Sequence, residues 1–313
     1  MTDVTAALNP LTKRRFSLPE SASPQPGPVP DGTLADGVPP SYGLSRVALW
    51  TAAAHAAECG RDSPYVLDPW AAEFLHAARF AGGPPGDGPL QRLLPDWAVV
   101  RTRFFDEYLV TASRSGCRQV VLLGAGLDTR AFRLHWPAGV HVFEVEAPAV
   151  LEFKDRVLDG TRPTCGRRST VGVDPSGSWA EALLAAGFDP RRPTAWLAET
   201  LLYHLRPDAV MSVVGAMTQL SAPGSTFGAE CVNAEAASTA FVAPFLKALS
   251  TTGIAWHWQL ADPEGWWAEQ GWEAGVADLF TLPYVIQRLA PYLPLLTEAA
   301  AKCAFLTTGT LTK

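Results

Sequence analysis

The chain reads as an α/β protein built on an open, parallel sheet with helical crossovers, and three observations carry that reading. From Arg118 onward, short apolar runs alternate with helical stretches, the pattern that strands feeding crossover helices require. The composition, 48% apolar and 18% charged over 313 residues, suffices for one well-cored domain of the larger α/β kind or for two small ones. Three helical stretches precede the first of the apolar runs.

The elements follow in order. Residues 1–40 hold eight of the 27 prolines and few aromatic or β-branched residues, and a mobile arm is expected there. Between Ser45 and Phe80, SRVALWTAAAHAAE and DPWAAEFLHAARF predict two helices, with Asp68-Pro69 placed as a helix start should be. After the loop AGGPPGDGP, Asp96 is expected to open a third helix through DWAVVRTRFFDEYLVTASR. These helices make a lead-in layer over 41–116, ahead of a core over 117–313. The core strands are RQVVLLG, HVFEVE, STVGVD, TAWLAE and STFGAECV. Crossover helices are expected over Leu127 to His135, Pro148 to Leu158, Ser178 to Gly187, Pro207 to Leu220 and Glu235 to Ser250. The tail offers a Trp-rich segment, PEGWWAEQGWEAGVADLF, an aliphatic helix, PYVIQRLAPYLPLL, and a last strand, CAFLTTGTL.

Composition also removes function classes. The formal charge is −6, and the basic clusters are short and isolated, which argues against nucleic acid as a partner. Five scattered cysteines with no C-x-x-C pair suit a reducing cytosol better than secretion. No apolar run of membrane-spanning length and no signal-peptide core is visible, so a cytoplasmic protein with no membrane partner is expected. No two of the six histidines lie closer than six residues, which disfavours a metal site. Neither a G-x-S-x-G elbow nor a phosphate-binding G-x-x-x-x-G-K-[ST] loop is present. The remaining partner class is a small molecule.

In an open parallel sheet, ligands bind beyond the carboxyl ends of the strands, so the residues just after each strand come first. Strand one is followed by Gly124-Ala125-Gly126-Leu127-Asp128-Thr129, where two glycines allow close backbone approach to a ligand and a helix start presents free N–H groups. Thr129 stands where a dinucleotide fingerprint has its third glycine, so a pyrophosphate is not what the loop suits. Glu146 ends strand two, twenty residues beyond Gly126, where a ribose-binding acid belongs. The spacing fits an adenosine moiety, and it equally fits a tight turn beside an exposed strand-end acid. Asp174 and Glu199 add two carboxylates to the same rim, as ligand groups or as local caps. Three acids there suit a cationic or polyhydroxylated ligand, and S-adenosylmethionine is both.

Several segments together resemble the leucine carboxyl methyltransferase family of S-adenosylmethionine-dependent enzymes. They are SRVALWTAAAHAAE, DPWAAEFL, RTRFFDEYL, GCRQVVLLGAGLDTRAFRL, FEVEAPAVLEFK, VDPSGSWAEALLAAGFDP and AWLAETLLYHLRPDAV, spanning roughly 42 to 221, with WWAEQGW a fainter match. The resemblance implies a seven-stranded Rossmann-like methyltransferase sheet with an added helical cap, and S-adenosyl-L-methionine as cofactor. It also implies that Arg101 grips the cofactor carboxylate, with Arg103 as the alternative, and that Gly124 and Gly126 form the cofactor loop. By the same resemblance Glu146 binds the ribose, Asp174 lies beside the adenine and Glu199 lies near the amino end. The chain departs from the family pattern with Glu146 for Asp, Pro175 for Leu, His204 for Tyr and His55 for Arg. The last two changes lie toward the substrate side and leave the substrate class open.

Methyl transfer from a sulfonium is an in-line displacement in which proximity and orientation supply most of the rate. A carboxylate acceptor is already ionised and needs no base, whereas a phenol needs one within reach. His204, on the loop after strand four, is the best candidate base, with Tyr203 beside it as the second catalytic candidate and a merely packed histidine as the plainer reading. His55 is a candidate to orient a substrate carboxylate. Trp256 and Trp258 are candidate aromatic walls for the acceptor, or else core. The expected function is O-methylation of a small organic molecule, with a carboxyl acceptor ahead of a phenol. The alternatives are methylation of a protein or peptide carboxyl terminus and a non-catalytic cofactor-binding protein. A nicotinamide oxidoreductase is disfavoured by Thr129.

Overall fold

In the computed structural model of the chain, which describes residues 46–295 and 303–312, seven strands form one sheet. They are β1 (Gln119–Leu123), β2 (His141–Glu146), β3 (Arg167–Gly172), β4 (Thr194–Ala198), β5 (Thr226–Val232), β6 (Trp272–Val276) and β7 (Ala304–Leu311). Their order is β3-β2-β1-β4-β5-β7-β6. The first five run parallel, and β7 inserts antiparallel between β5 and β6. Every residue of β1 and β4 is buried, as central strands covered on both faces must be. The order reverses between these two strands, so their carboxyl ends frame the crevice in which open α/β sheets bind ligands.

Helices α1 (Arg46–Cys59), α2 (Ala71–Ala77) and α3 (Pro89–Arg114) precede the sheet. Crossover and tail helices are α4 (Arg130–Arg133), α5 (Pro148–Val157), α6 (Trp179–Ala185), α7 (Pro207–Gln219), α8 (Ala243–Ser250), α9 (Pro263–Glu269) and α10 (Pro283–Leu289). Alternation along β1 separates two core layers. Val120 and Leu122 pack with Phe74, Phe105 and Leu109 from the leading helices, while Val121 and Leu123 pack with Trp179 and Trp196 on the other face. Among the described residues no helix is long and apolar enough to cross a membrane. The arm expected over 1–40 lies outside the described residues.

The structure corrects several element boundaries. Helix α3 starts at Pro89 rather than Asp96, because Gly88 leads in with extended backbone and Pro89 occupies the first turn, where its missing N–H costs nothing. The helix after β1 is a single turn, since the preceding residues are used by the glycine loop. The helix expected over Glu235 to Ser250 divides into a 3-10 turn, Ala236–Ser238, and α8. The aliphatic tail helix ends at Leu289 and continues as a 3-10 turn containing Pro294. The Trp-rich segment holds α9 and the edge strand β6, which the sequence pattern did not reveal.

Candidate active site

A cavity of about 430 Å3 opens at the carboxyl ends of β1 and β4, a size ordinary for small-molecule sites. Its floor is the loop after β1. Gly124 (φ 65°) and Gly126 (φ 45°) are left-handed, a conformation that favours glycine. A side chain at either would also meet the walls: a Cβ at 124 would lie 3.0 Å from Leu201 Cδ1, and one at 126 would lie 3.3 Å from Ala48 Cβ. The N–H groups of Gly124 and Ala125 donate to the Val145 carbonyl, at 2.9 and 3.1 Å.

Glu146 fixes that loop. Its Oε2 accepts from the Gly126 N–H and its Oε1 from the Ala147 N–H, both at 2.8 Å, and each oxygen retains a lone pair for a ligand. Asp174 sits exposed on the rim, with Oδ1 accepting from the N–H and the hydroxyl of Ser176 at 2.8 and 2.7 Å.

A buried charge cluster forms the inner wall. Arg101 Nε donates to Glu199 Oε1 at 2.7 Å and Nη1 lies 3.4 Å from Glu230 Oε2, leaving Nη2 without a hydrogen-bond partner among the described residues. Arg130 Nη1 meets the other Glu199 oxygen at 2.7 Å, and its Nε donates to Asp106 at 2.6 Å. Burial alone would raise the Glu199 pKa, but Arg130 and Arg101 outweigh it and hold the carboxyl at about 2. Of the two arginines weighed for the cofactor carboxylate, only Arg101 lines the cavity. Arg103 turns outward, donates to Glu107 Oε1 at 3.1 Å and lies 4.2 Å from the centre of the Tyr284 ring. Thr200 follows Glu199 with φ 52°, a strained state for a β-branched residue, and its hydroxyl donates to the Glu199 carbonyl at 2.8 Å.

His204 lines the same cavity. The Ala255 carbonyl lies 3.1 Å from Nδ1 and can only accept, so Nδ1 carries the proton and Nε2 is the acceptor. Burial, aided by the nearby charges of His257 and Arg101, pulls its pKa down to about 4. His55 also reaches the cavity wall, with both ring nitrogens engaged inside the protein: Nδ1 with Asp68 at 3.2 Å and Nε2 with the Thr102 hydroxyl at 3.0 Å.

Tyr203 and Trp256 line a second, smaller cavity of about 70 Å3. The Tyr203 hydroxyl donates to Glu230 Oε2 at 3.0 Å, and burial together with that carboxylate pushes its pKa well above the usual phenol range. The structure does not bring Trp258 to either cavity. It is buried in the core, edge-on to Trp266 at 4.9 Å, because the Trp-rich segment covers the sheet face that carries Trp196 and Phe227. Thus Arg101, Gly124, Gly126, Glu146, Asp174, Glu199, His204 and His55 meet around one cavity. Sequence reasoning assigned no role to Arg130, Thr200 or Glu230. The signals available were an arginine inside GAGLDTR and an acid inside the apolar run STFGAECV.

The model of the leucine carboxyl methyltransferase family matches residues 48–218. A candidate S-adenosyl-L-methionine-dependent methyltransferase of Saccharopolyspora erythraea is 45% identical over 196 residues, covering 61% of this chain and 68% of that protein. Another, from Parafrankia sp., is 38% identical over 262 residues, covering 80% of this chain and 84% of the relative. Among solved structures, a candidate methyltransferase of Thermobifida fusca matches with a TM-score of 0.53 at 18% identity, over 88% of this chain and 98% of the other. A duf574 family protein of Streptomyces avermitilis matches with a TM-score of 0.56 at 13% identity, over 87% and 98%. At these identities the two structures share the fold with this chain.

Proposed function

We propose that this chain, which belongs to the leucine carboxyl methyltransferase family and is an S-adenosylmethionine-dependent methyltransferase, methylates the carboxyl group of a small organic acid. The state of His204 carries the choice of acceptor. Its Nδ1 proton is committed to the Ala255 carbonyl, and its pKa near 4 makes it a weak base at neutral pH. A phenol would need its proton removed by a stronger group, whereas a carboxylate arrives ionised.

The residues present fit the methyl donor. The cradle at Gly124 and Gly126 is left-handed and leaves only a tight fit for a Cβ, and Glu146 retains acceptor capacity where a ribose diol would lie. Arg101 Nη2 would donate to the carboxylate of the methionine part, Glu199 would receive its amino group, and Asp174 would hold the adenine side of the rim. When bound, the donor supplies an electrophilic methyl group on a sulfonium. The chain contributes position: Glu146 locks the loop, and Arg130 pins Glu199, which in turn pins Arg101. We place the protein in the cytosol, where free thiols such as Cys59 and Cys303 stay reduced.

Incubation with methyl-labelled donor and a panel of small acids and phenols tests the proposal. Label recovered as base-labile methyl ester is the expected result. Label recovered only as a base-stable ether, or only on a protein terminus, would overturn it.

A further inference from the structure

In-line transfer requires the acceptor oxygen to reach the methyl group from the side opposite the sulfur, so the acceptor needs its own space next to the donor cavity. The smaller cavity adjoins the larger one. Thr51, Arg101, Thr200 and His204 line both cavities, forming a polar seam between them. Beyond the seam the walls turn apolar, with Trp50 from α1, Leu94 and Ala98 from α3, Phe245 and Leu249 from α8, and Trp256.

The aromatic walls brace one another. Trp256 stands edge-on to Tyr203 at 5.4 Å and to Phe245 at 5.8 Å, so three aromatic rings pack against one another along the slot. The nearby acid does not offer its charge to the slot, because Glu230 accepts from Trp97 Nε1 at 2.8 Å and from the Tyr203 hydroxyl at 3.0 Å. At about 70 Å3 the space is far below that of a drug-sized site and about half the roughly 150 Å3 that encloses a benzene ring, so it takes a short branched chain whole and a single ring in part.

We infer that this cavity is the acceptor subsite, and that it takes the compact apolar body of a monocarboxylic acid whose carboxylate lies at the seam beside Thr51. The inference rests on the carboxylate reading above and adds the class of acid. Ala98 and Trp256 are then specificity-determining residues. Ala98→Leu adds three carbons to the slot, and Trp256→Ala empties one wall.

The test is calorimetric, on the full chain loaded with S-adenosylhomocysteine, using benzoate, isovalerate, 2-naphthoate and gluconate as probes. Wild type should bind benzoate or isovalerate at least about tenfold more tightly than gluconate, the discrimination that hydrophobic pockets reach. Ala98→Leu should weaken those two acids by about tenfold or more while holding S-adenosylhomocysteine within about twofold of wild type. If Ala98→Leu fails to hold S-adenosylhomocysteine, Trp256→Ala decides, and it should shift preference from benzoate toward 2-naphthoate. The subsite is overturned if wild type holds S-adenosylhomocysteine but none of the apolar acids. It is also overturned if Ala98→Leu binds benzoate as wild type does, or if Trp256→Ala leaves the preference unchanged. Acids that bind but gain no methyl group when S-adenosylmethionine replaces S-adenosylhomocysteine would overturn the carboxylate reading instead, and failure of wild type to bind S-adenosylhomocysteine would overturn the methyltransferase reading itself.

Discussion

At the scale of single residues, Arg101 is where the charge cluster meets both cavities, and its pairing with Glu199 and Glu230 aims the remaining nitrogen. Hydrogen bonds to charged groups contribute about 1.5 to 3 kcal/mol. Arg101→Ala should therefore weaken S-adenosylhomocysteine binding by about 10- to 150-fold. Arg103→Ala, which removes a surface pair and contacts with the Tyr65 and Tyr284 rings, none of them lining the cavity, should leave it within about twofold. Titration calorimetry on both variants checks this, and the reverse ranking would displace Arg101 from the site. His204 gives a second prediction. With its pKa near 4, it stays neutral from pH 6 to 8.5, so turnover on a carboxylic acid should be flat there in wild type and in His204→Ala alike. A limb near pH 6.5 that vanishes in the variant would show His204 acting as a base. The glycines and Glu146 were legible because strand-end spacing expresses backbone geometry directly. Arg130 and Glu230 were not, because their roles depend on partners far away in sequence, Glu199 for Arg130 and Trp97 for Glu230, and spacing along the chain does not encode those pairings.

At the scale of elements, the five parallel strands were legible as short apolar runs bounded by turn residues, since a strand buried on both faces needs no polar alternation. Strand β6 was hidden because it is half-buried, short and glycine-containing, and pairs only with β7, which follows α10 and a 3-10 turn. Tryptophans around it served equally well for a helix, and α9 does occupy part of that stretch. The β7 insertion depends on Gly309. A Cβ there would fall 2.5 Å from the Phe227 ring and 2.7 Å from the Glu273 carbonyl, both on flanking strands. Gly309→Ala should therefore destabilise the fold by about 1 to 3 kcal/mol, as overpacking does. Gly275→Ala, on the open face of β6 with nothing within 4 Å of its Cβ, is the control and should melt near wild type. Equal melting of the two variants would contradict the insertion of β7 between β5 and β6.

At the scale of the whole molecule, the buried titratable groups make stability depend on pH with one sign throughout the acid range. The pKa values of His141 and His204 are pushed from 6.5 to about 4, mainly by burial. Between those values the unfolded chain takes up protons that the folded chain refuses, so stability falls as pH drops from 6.5 to 4. The slope is at most about 1.4 kcal/mol per pH unit for each histidine, and smaller for His141, which solvent partly reaches. Glu199 acts in the adjoining window. Its folded pKa of about 2, against 4.5 unfolded, gives stability that is present above 4.5 and lost as pH falls toward 2. Glu58, held low by Arg288, Glu144, held low by Lys154 and Arg168, and Asp68, held low chiefly by its hydrogen bond with His55, add to that loss. Thermal melts between pH 7.5 and 3 should therefore show a midpoint that declines from about pH 6.5 onward with no recovery at lower pH. The double variant His141→Gln with His204→Gln should flatten the decline between 6.5 and 4.5 while retaining the loss below it. A wild-type midpoint that stays constant from pH 7 to 4.5 would mean that neither imidazole is held neutral, and it would remove the reason for choosing an acceptor that needs no base.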